Sequence, residues 1–240
     1  MPRLSVEWVM AKGNNTGGTR SLTVTVKTAH KRKLSSTLWL HRQLNDPYVV
    51  KAKKDGYRGR AAYKLIELDD RFKLLKPGMR VLDLGAAPGG WTQVAVQRCK
   101  SRVLGVDLKE IDPIPGAMLM VQDFMADEAP ARIREALGGQ VDAVISDMAP
   151  NSSGHPSIDH IRIVGLCEAA VEFAFEVLAE GGIFVAKVLK GGTETELLKL
   201  LRANFEKVRH AKPEASRKDS AESYVVATGF KRSALVKDAE

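Results

Sequence analysis

Residues 81–91 read Val81-Leu82-Asp83-Leu84-Gly85-Ala86-Ala87-Pro88-Gly89-Gly90-Trp91, an apolar strand running straight into a glycine-rich turn with a helix-compatible stretch behind it. An open α/β sheet builds a cofactor pocket in this way. Glycine lets the backbone approach a ligand where a Cβ would collide, and the following helix offers free N–H groups. The turn departs from the dinucleotide pattern Gly-x-Gly-x-x-Gly. Its second glycine, the one that admits a pyrophosphate, is Ala87 here, and Pro88 follows.

Outward from that turn the pattern alternates. Strands are expected at 80–84, 102–107, 117–121, 141–146 and 182–188, with helical segments at 90–99, 127–137, 158–179 and 194–203. Such alternation predicts an α/β fold with a mostly parallel, doubly wound sheet. The tail differs, because Phe205 to Ala211 and Ser223 to Phe230 both read as strands with only a loop between them. Two strands without an intervening helix pair antiparallel, which adds a hairpin at one edge and brings the sheet to seven strands. Upstream, Ala61, Leu65, Leu68, Phe72 and Leu75 recur at spacings of three and four, so a helix is expected from Arg60 to Leu75 with Lys64 at the edge of its buried stripe. A short helix is expected from about residue 36, and a loop over 46–57.

Charge is unevenly placed. The chain of 240 residues carries a net +8, yet residues 1–64 hold fourteen lysines and arginines against three acids, a net of +11 by themselves. A basic arm on a near-neutral domain points to a polyanion, most plausibly nucleic acid. The same charge also suits a solubilising or targeting tail. The organisation expected is a flexible basic arm over 1–35 and one domain over 36–235, its first part (36–78) a helical extension on the substrate side. No apolar run is long enough to cross a bilayer, and the start lacks the layout of a secretory signal. Cys99 and Cys167 form no metal or redox motif, so a cytoplasmic protein without a bound metal is expected.

Asp83 lies inside the end of the first strand, Asp107 ends the second, and Asp123 follows the third. A strand-end acid grips a ribose in nucleotide-type sites, and Asp123 is placed to meet an adenine amino group; such acids also cap turns. With the altered glycine pattern they favour S-adenosylmethionine over a nicotinamide cofactor. Ser146-Asp147-Met148-Ala149-Pro150-Asn151 follows the fourth strand, and the fifth ends in Lys187 amid apolar neighbours. A lysine there is costly unless used or paired, either as a reacting group or in a structural ion pair with Asp147.

From about Gly56 to Phe230 the chain resembles the FtsJ-type ribosomal RNA 2′-O-ribose methyltransferases. The segments that carry the resemblance are Tyr57-Arg58-Gly59-Arg60-Ala61-Ala62-Tyr63-Lys64-Leu65, Asp83 to Trp91, Ser146 to Asn151, Val185-Ala186-Lys187 and Ser220-Ala221-Glu222-Ser223-Tyr224. Glycine stands at 59 where the family usually has serine. The resemblance implies a Rossmann-like, S-adenosylmethionine-dependent methyltransferase fold. It implies a Lys-Asp-Lys-Glu tetrad at Lys64, Asp147, Lys187 and Glu222, and cofactor contacts at Gly89, Trp91, Asp107, Asp123 and Asp147. The implied substrate is a uridine in the peptidyl-transferase region of large-subunit 23S ribosomal RNA on the assembled subunit, modified by a monomer that binds no membrane.

The chemistry asked of those residues is definite. Methyl transfer from a sulfonium to a hydroxyl requires alignment of the 2′-oxygen and removal of its proton. Lys187 is the expected proton acceptor. A second cation at Lys64 favours loss of its proton, whereas Asp147 opposes it and holds Lys187 in register. Glu222 would orient Lys64 or the ribose, although as a lone residue it also reads as a solvated edge-strand acid. Arg58, Arg60, Lys51, Lys53 and Lys54 are expected to grip RNA phosphates. Tyr57 and Tyr63 suit either base stacking or core packing, and His155 and His160 read as ordinary loop residues. The rival functions are a non-catalytic RNA-binding ribosome assembly factor that retains the pocket and, more remotely, a nicotinamide-dependent oxidoreductase.

Overall fold

The computed structural model describes residues 34–150, 154, 156–189, 194–217 and 219–232. They fall into two units, one ending at Asn45 and one beginning at Asp46. The described part of the first is helix α1 (Leu34–Leu44), which starts two residues before the expected position. Asn45 follows it, its side-chain amide donating to the His41 carbonyl (2.8 Å). The expected basic arm lies outside the described residues as far as residue 33.

The second unit carries strands β1 (Val81–Leu84), β2 (Val103–Asp107), β3 (Ala117–Val121), β4 (Val141–Ser146), β5 (Leu178–Leu189), β6 (Phe205–Ala211) and β7 (Glu222–Phe230). Its helices are α2 (Pro47–Lys54), α3 (Ala62–Phe72), α4 (Gly90–Cys99), α5 (Ala129–Leu137), α6 (Pro156–Val177) and α7 (Glu194–Asn204). The strands form one seven-stranded sheet in the order β3-β2-β1-β4-β5-β7-β6. The first five run parallel, and β7 pairs antiparallel with both β5 and β6, as the alternation and the uninterrupted tail predict. Strand order reverses between β1 and β4, so the carboxyl ends of β2, β1 and β4 face a crevice.

Alternation along β1 shows why the sheet is covered on both sides. Val81 joins the apolar cluster of α3 and α4, while Leu82 and Leu84 join that of α5, α6 and α7. Cys99 and Cys167 are buried one in each cluster. Among the described residues no helix is long and apolar enough to cross a membrane.

Three boundaries differ from expectation for identifiable reasons. Residues 46–57 are not all loop, because α2 occupies 47–54. Asp46 caps it, its carboxylate accepting from Tyr48 N (3.0 Å), and Pro47 supplies a fixed φ in the first turn. Helix α3 stops at Phe72, not Leu75. Lys73 turns left-handed (φ 54°), and the buried Asp69 carboxylate captures Leu75 N (2.7 Å), so Leu74 and Leu75 stay buried without being helical. Strand β5 begins at Leu178, before the expected 182, but pairing with β4 is irregular until Ile183 meets Ala143. His160 falls within α6, not in a loop, and His155 lies outside the described residues.

Asp83 points from β1 toward α4 and is wholly buried. One carboxyl oxygen accepts from the Thr92 hydroxyl (2.6 Å), and the other has no partner. Burial pushes this carboxyl up to about 7. The Thr92 hydrogen bond opposes that rise, and Asp147 and Asp107 reinforce it. A group raised in this way keeps its proton in the fold after the unfolded chain has lost it. Its stabilisation is complete below the ordinary carboxyl value and disappears as pH rises through about 7.

Two outcomes are expected. Asp46→Ala should lower unfolding stability by about 1–2 kcal/mol in urea denaturation, through loss of the α2 cap and of the ion pair with Arg60. Asp83→Asn, which mimics the protonated carboxyl, should gain stability relative to the parent protein between pH 5 and pH 8, with a difference that widens as pH rises. A pH-independent difference would contradict the Asp83 assignment.

Candidate active site

The crevice begins where β1 ends. Gly85 adopts φ +77°, and its N–H and that of Ala86 both return to the Val106 carbonyl (2.9 and 3.1 Å). A Cβ at residue 85 would lie 2.8 Å from the Met148 Cα, so this turn is closed to any larger residue. Asp107, at the end of β2, accepts from Ala87 N through one oxygen (2.9 Å) and from Lys109 N through the other (2.8 Å). It therefore fixes the glycine turn and its own loop while lining the crevice. Asp123 similarly accepts from Met125 N (2.9 Å).

The crevice is a cavity of about 630 Å³, a size suited to a nucleoside-sized ligand. Asp107, Asp123 and Asp147, together with Lys109, Gln122 and Arg162, supply polar side chains to its wall, and Phe124 and Met148 form part of its apolar wall. Gly89 and Trp91, expected as cofactor contacts, do not line it. Gly89 starts α4 at φ +110° against Ile114 and Arg58, and Trp91 is only 3 % exposed, its indole N–H donating to the Ala61 carbonyl (2.8 Å). Trp91 thereby ties the glycine-turn helix to the segment that presents Lys64.

Lys64, Asp147, Lys187 and Glu222 meet as expected. Lys64 stands in the first turn of α3, where Ala62, Tyr63 and Lys64 donate to the carbonyls of Gly59, Arg60 and Ala61. Asp147 follows β4, Lys187 lies in β5, and Glu222 opens β7. The Lys187 ammonium is 3.0 Å from Asp147 Oδ1 and 2.7 Å from the Asp147 carbonyl oxygen. The Lys64 ammonium pairs with Glu222 Oε1 and lies 3.9 Å from Asp147 Oδ1. The four side chains are 10–17 % exposed. Burial pushes the Asp147 carboxyl up, but Lys187, Lys64 and the Tyr224 hydrogen bond together hold it below the usual carboxylate value. Glu222 is also held low. Burial raises it, and the Lys64 charge together with the hydrogen bonds from Lys64 and Tyr224 outweighs that rise.

Tyr224 has no role in the sequence reading. Its hydroxyl lies 2.6 Å from Asp147 Oδ1 and 2.7 Å from Glu222 Oε1, and its ring packs on Trp91 at 5.6 Å between centroids. The signal was present, since Glu222 and Tyr224 are two apart on a strand and share a face, and Tyr224 stands opposite Lys187 in the β5–β7 register. Glu222 also accepts from the Ser216 hydroxyl (3.2 Å).

A second cavity, of about 320 Å³, opens on Lys64 and Glu222 between Ala61 and the loop residues Arg217, Asp219 and Ser220. The tetrad thus lies between two hollows, with Asp147 facing the larger and Lys64 and Glu222 facing the smaller.

Of the basic residues before α3, Arg58 and Arg60 spend their charge within the protein. Arg58 is an internal brace. Its guanidinium donates to the carbonyls of Pro88 (3.2 Å), Asp112 (2.6 Å) and Pro113 (2.8 Å), and its backbone N–H donates to Gln93 (2.9 Å). Arg60 pairs with Asp46 (2.5 Å) and donates to the Ala215 carbonyl. Glu67 takes the Ala215 N–H (3.0 Å), so Arg60 just before α3 and Glu67 within it grip both sides of that residue. Lys51 sits 4.5 Å over the Tyr63 ring, while Lys53 and Lys54 are exposed on α2. Tyr57 and Tyr63 are packing residues. Their rings meet at 5.7 Å, and their hydroxyls donate to Gln97 (2.8 Å) and Asp55 (2.7 Å).

Comparison with known proteins agrees with this geometry. Residues 57–230 match the FtsJ-like methyltransferase family model. A protein of Paramagnetospirillum magneticum named ribosomal RNA large subunit methyltransferase E is 63% identical over 224 residues, covering 90% of this chain and 92% of that one. A Roseobacter denitrificans protein of the same name is 61% identical over 227 residues, covering 90% of this chain and 95% of that one. Among solved structures, a Plasmodium falciparum protein described as a ribosomal RNA methyltransferase superposes with a TM-score of 0.65 at 30% identity, covering 72% of this chain and 98% of that one. With its glycine turn, crevice and converging charged residues, the chain belongs to the FtsJ-like methyltransferase family, whose methyl donor is S-adenosylmethionine.

Proposed function

We propose that the protein transfers a methyl group from S-adenosylmethionine to a ribose 2′-hydroxyl of a uridine in large-subunit ribosomal RNA, acting as a cytoplasmic monomer on the assembled subunit. The observation that carries the reading is the position of the tetrad between two cavities. Asp147 lines the larger and contacts Lys187, and Lys64 and Glu222 line the smaller. The relatives named as large-subunit RNA methyltransferases support the substrate class.

The larger cavity suits the cofactor. Asp107 and Asp123 offer carboxylates for a ribose and an amino group, and Phe124 supplies an apolar wall. When bound, S-adenosylmethionine supplies an activated methyl on a sulfonium with a good leaving group. The protein's own task is to place the 2′-oxygen and take its proton. Lys187 is the acceptor. Two of its hydrogens point at the Asp147 carboxylate and carbonyl, which fixes the ammonium and leaves its third position for the substrate hydroxyl. Accepting the hydroxyl proton requires Lys187 in its neutral amine form, and Lys64, anchored by Glu222, offers a donor to the ribose oxygen.

Lys187→Ala should cut single-turnover methyl transfer to large ribosomal subunits by about 10²–10⁴. Cofactor affinity by calorimetry should remain near that of the parent. Loss of affinity with normal turnover at saturation would contradict the assignment, and a parent protein that binds subunits but transfers no labelled methyl would favour the assembly-factor reading. Arg58→Ala should raise the S-adenosylmethionine concentration for half-maximal rate, because it frees the carbonyls of Pro88 and residues 112–113. The salt dependence of RNA binding should stay unchanged, since Arg58 is spent internally.

A further inference from the structure

Tyr224 poses a problem of proton counting. A phenol has one hydrogen, yet its oxygen is within hydrogen-bond distance of two carboxylates, Asp147 at 2.6 Å and Glu222 at 2.7 Å. Both are held in their ionised forms by the lysines, so neither brings a proton of its own to the contact. The phenol does not dissociate either, because burial and the two neighbouring carboxylates raise Tyr224 well above its ordinary value. One hydrogen is therefore contested by two acceptors, and the acceptor it serves changes how strongly that carboxylate holds its lysine.

We propose that Tyr224 is a positioning residue for the methyl-transfer reaction, whose single hydroxyl hydrogen, shared between Asp147 and Glu222, sets the pH at which Lys187 releases its proton. This rests on the reading of Lys187 as proton acceptor. The groups that face the hydroxyl come from every element around it. Lys64 reaches in from α3, Asp147 from the end of β4, Lys187 from β5, and Glu222 from β7. Ser216 donates to Glu222 from the loop before β7, Arg217 and Asp219 border the smaller cavity beside it, and Asp83 lies on β1 behind Asp147. A hydrogen bond from Tyr224 takes up part of the Asp147 charge that would otherwise hold the Lys187 ammonium, 3.0 Å away at the same oxygen. Without that donor, Asp147 Oδ1 turns wholly to the lysines and keeps Lys187 protonated to higher pH. The ring performs a separate service, packing on Trp91, which phenylalanine performs equally well.

The test is the pH dependence of single-turnover methyl transfer to large ribosomal subunits at saturating S-adenosylmethionine. Tyr224→Phe should move the rising limb of the profile to higher pH by about one unit, with a plateau rate within about tenfold of the parent. Replacing Tyr224 alone with 3-fluorotyrosine, a stronger donor of the same shape, should move the limb to lower pH. Opposite displacements support the proposal, and the second arm decides it if the phenylalanine variant does not fold. Limbs that coincide with the parent's in the folded variants overturn it and leave Tyr224 as packing only. Lys187→Ala read in parallel separates the two ideas. If that variant is inactive while the limbs stay put, only the Tyr224 assignment falls; if it retains turnover, the proton-acceptor reading falls first.

Discussion

Two ammonium groups and two carboxylates cannot be withdrawn from water at one end of a sheet unless each neutralises another. In this protein that mutual neutralisation orders the site. The side chains of Lys64, Asp147, Lys187 and Glu222 are 10–17 % exposed, and removing one leaves a partner's charge uncompensated, which costs more than an intact pair contributes. The cluster acts as one unit. Its members arrive from α3, the end of β4, β5 and β7, so the constellation exists only when the central and C-terminal parts of the sheet are both assembled.

The sheet supplies the coordinates for that meeting. Reversal of strand order between β1 and β4 leaves a crevice at the carboxyl ends of β2, β1 and β4, and Asp147 is the residue that β4 delivers to its floor. Antiparallel entry of β7 beside β5 then sets Tyr224 opposite Lys187 and brings Glu222 onto the same face. A parallel strand in that place would need a crossover connection, where the chain has only the loop that carries Ser216 and Arg217.

Much of this was legible in the sequence because it depends on period and order. The run from Val81 to Trp91 gave away the strand, the turn and the helix behind it, and the unbroken tail announced the hairpin. The resemblance named the four charged residues. What sequence could not show is which groups a cation or an indole would spend itself on. Arg58 and Arg60 read as phosphate ligands because charge is visible in sequence, whereas the carbonyls of Pro88, Asp112, Pro113 and Ala215 that surround them are not. The resemblance implied a cofactor contact at Trp91, and the structure shows its indole N–H donating to the Ala61 carbonyl. Helix α2 was missed because it is one short stretch with a single buried residue, Ala52, and so carries no apolar stripe; its Asp46-Pro47 start was the available clue.

The grip of Arg60 and Glu67 on Ala215 has a mechanical consequence. Arg60 holds the carbonyl and Glu67 the N–H of one residue, and that residue lies in the loop whose next positions wall the smaller cavity. The two banks of the hollow, one from the start of α3 and one from the loop before β7, are thereby riveted together. The walls are thereby braced from both sides, so their ordering entropy is spent at folding and not deducted from the affinity for whatever enters the hollow.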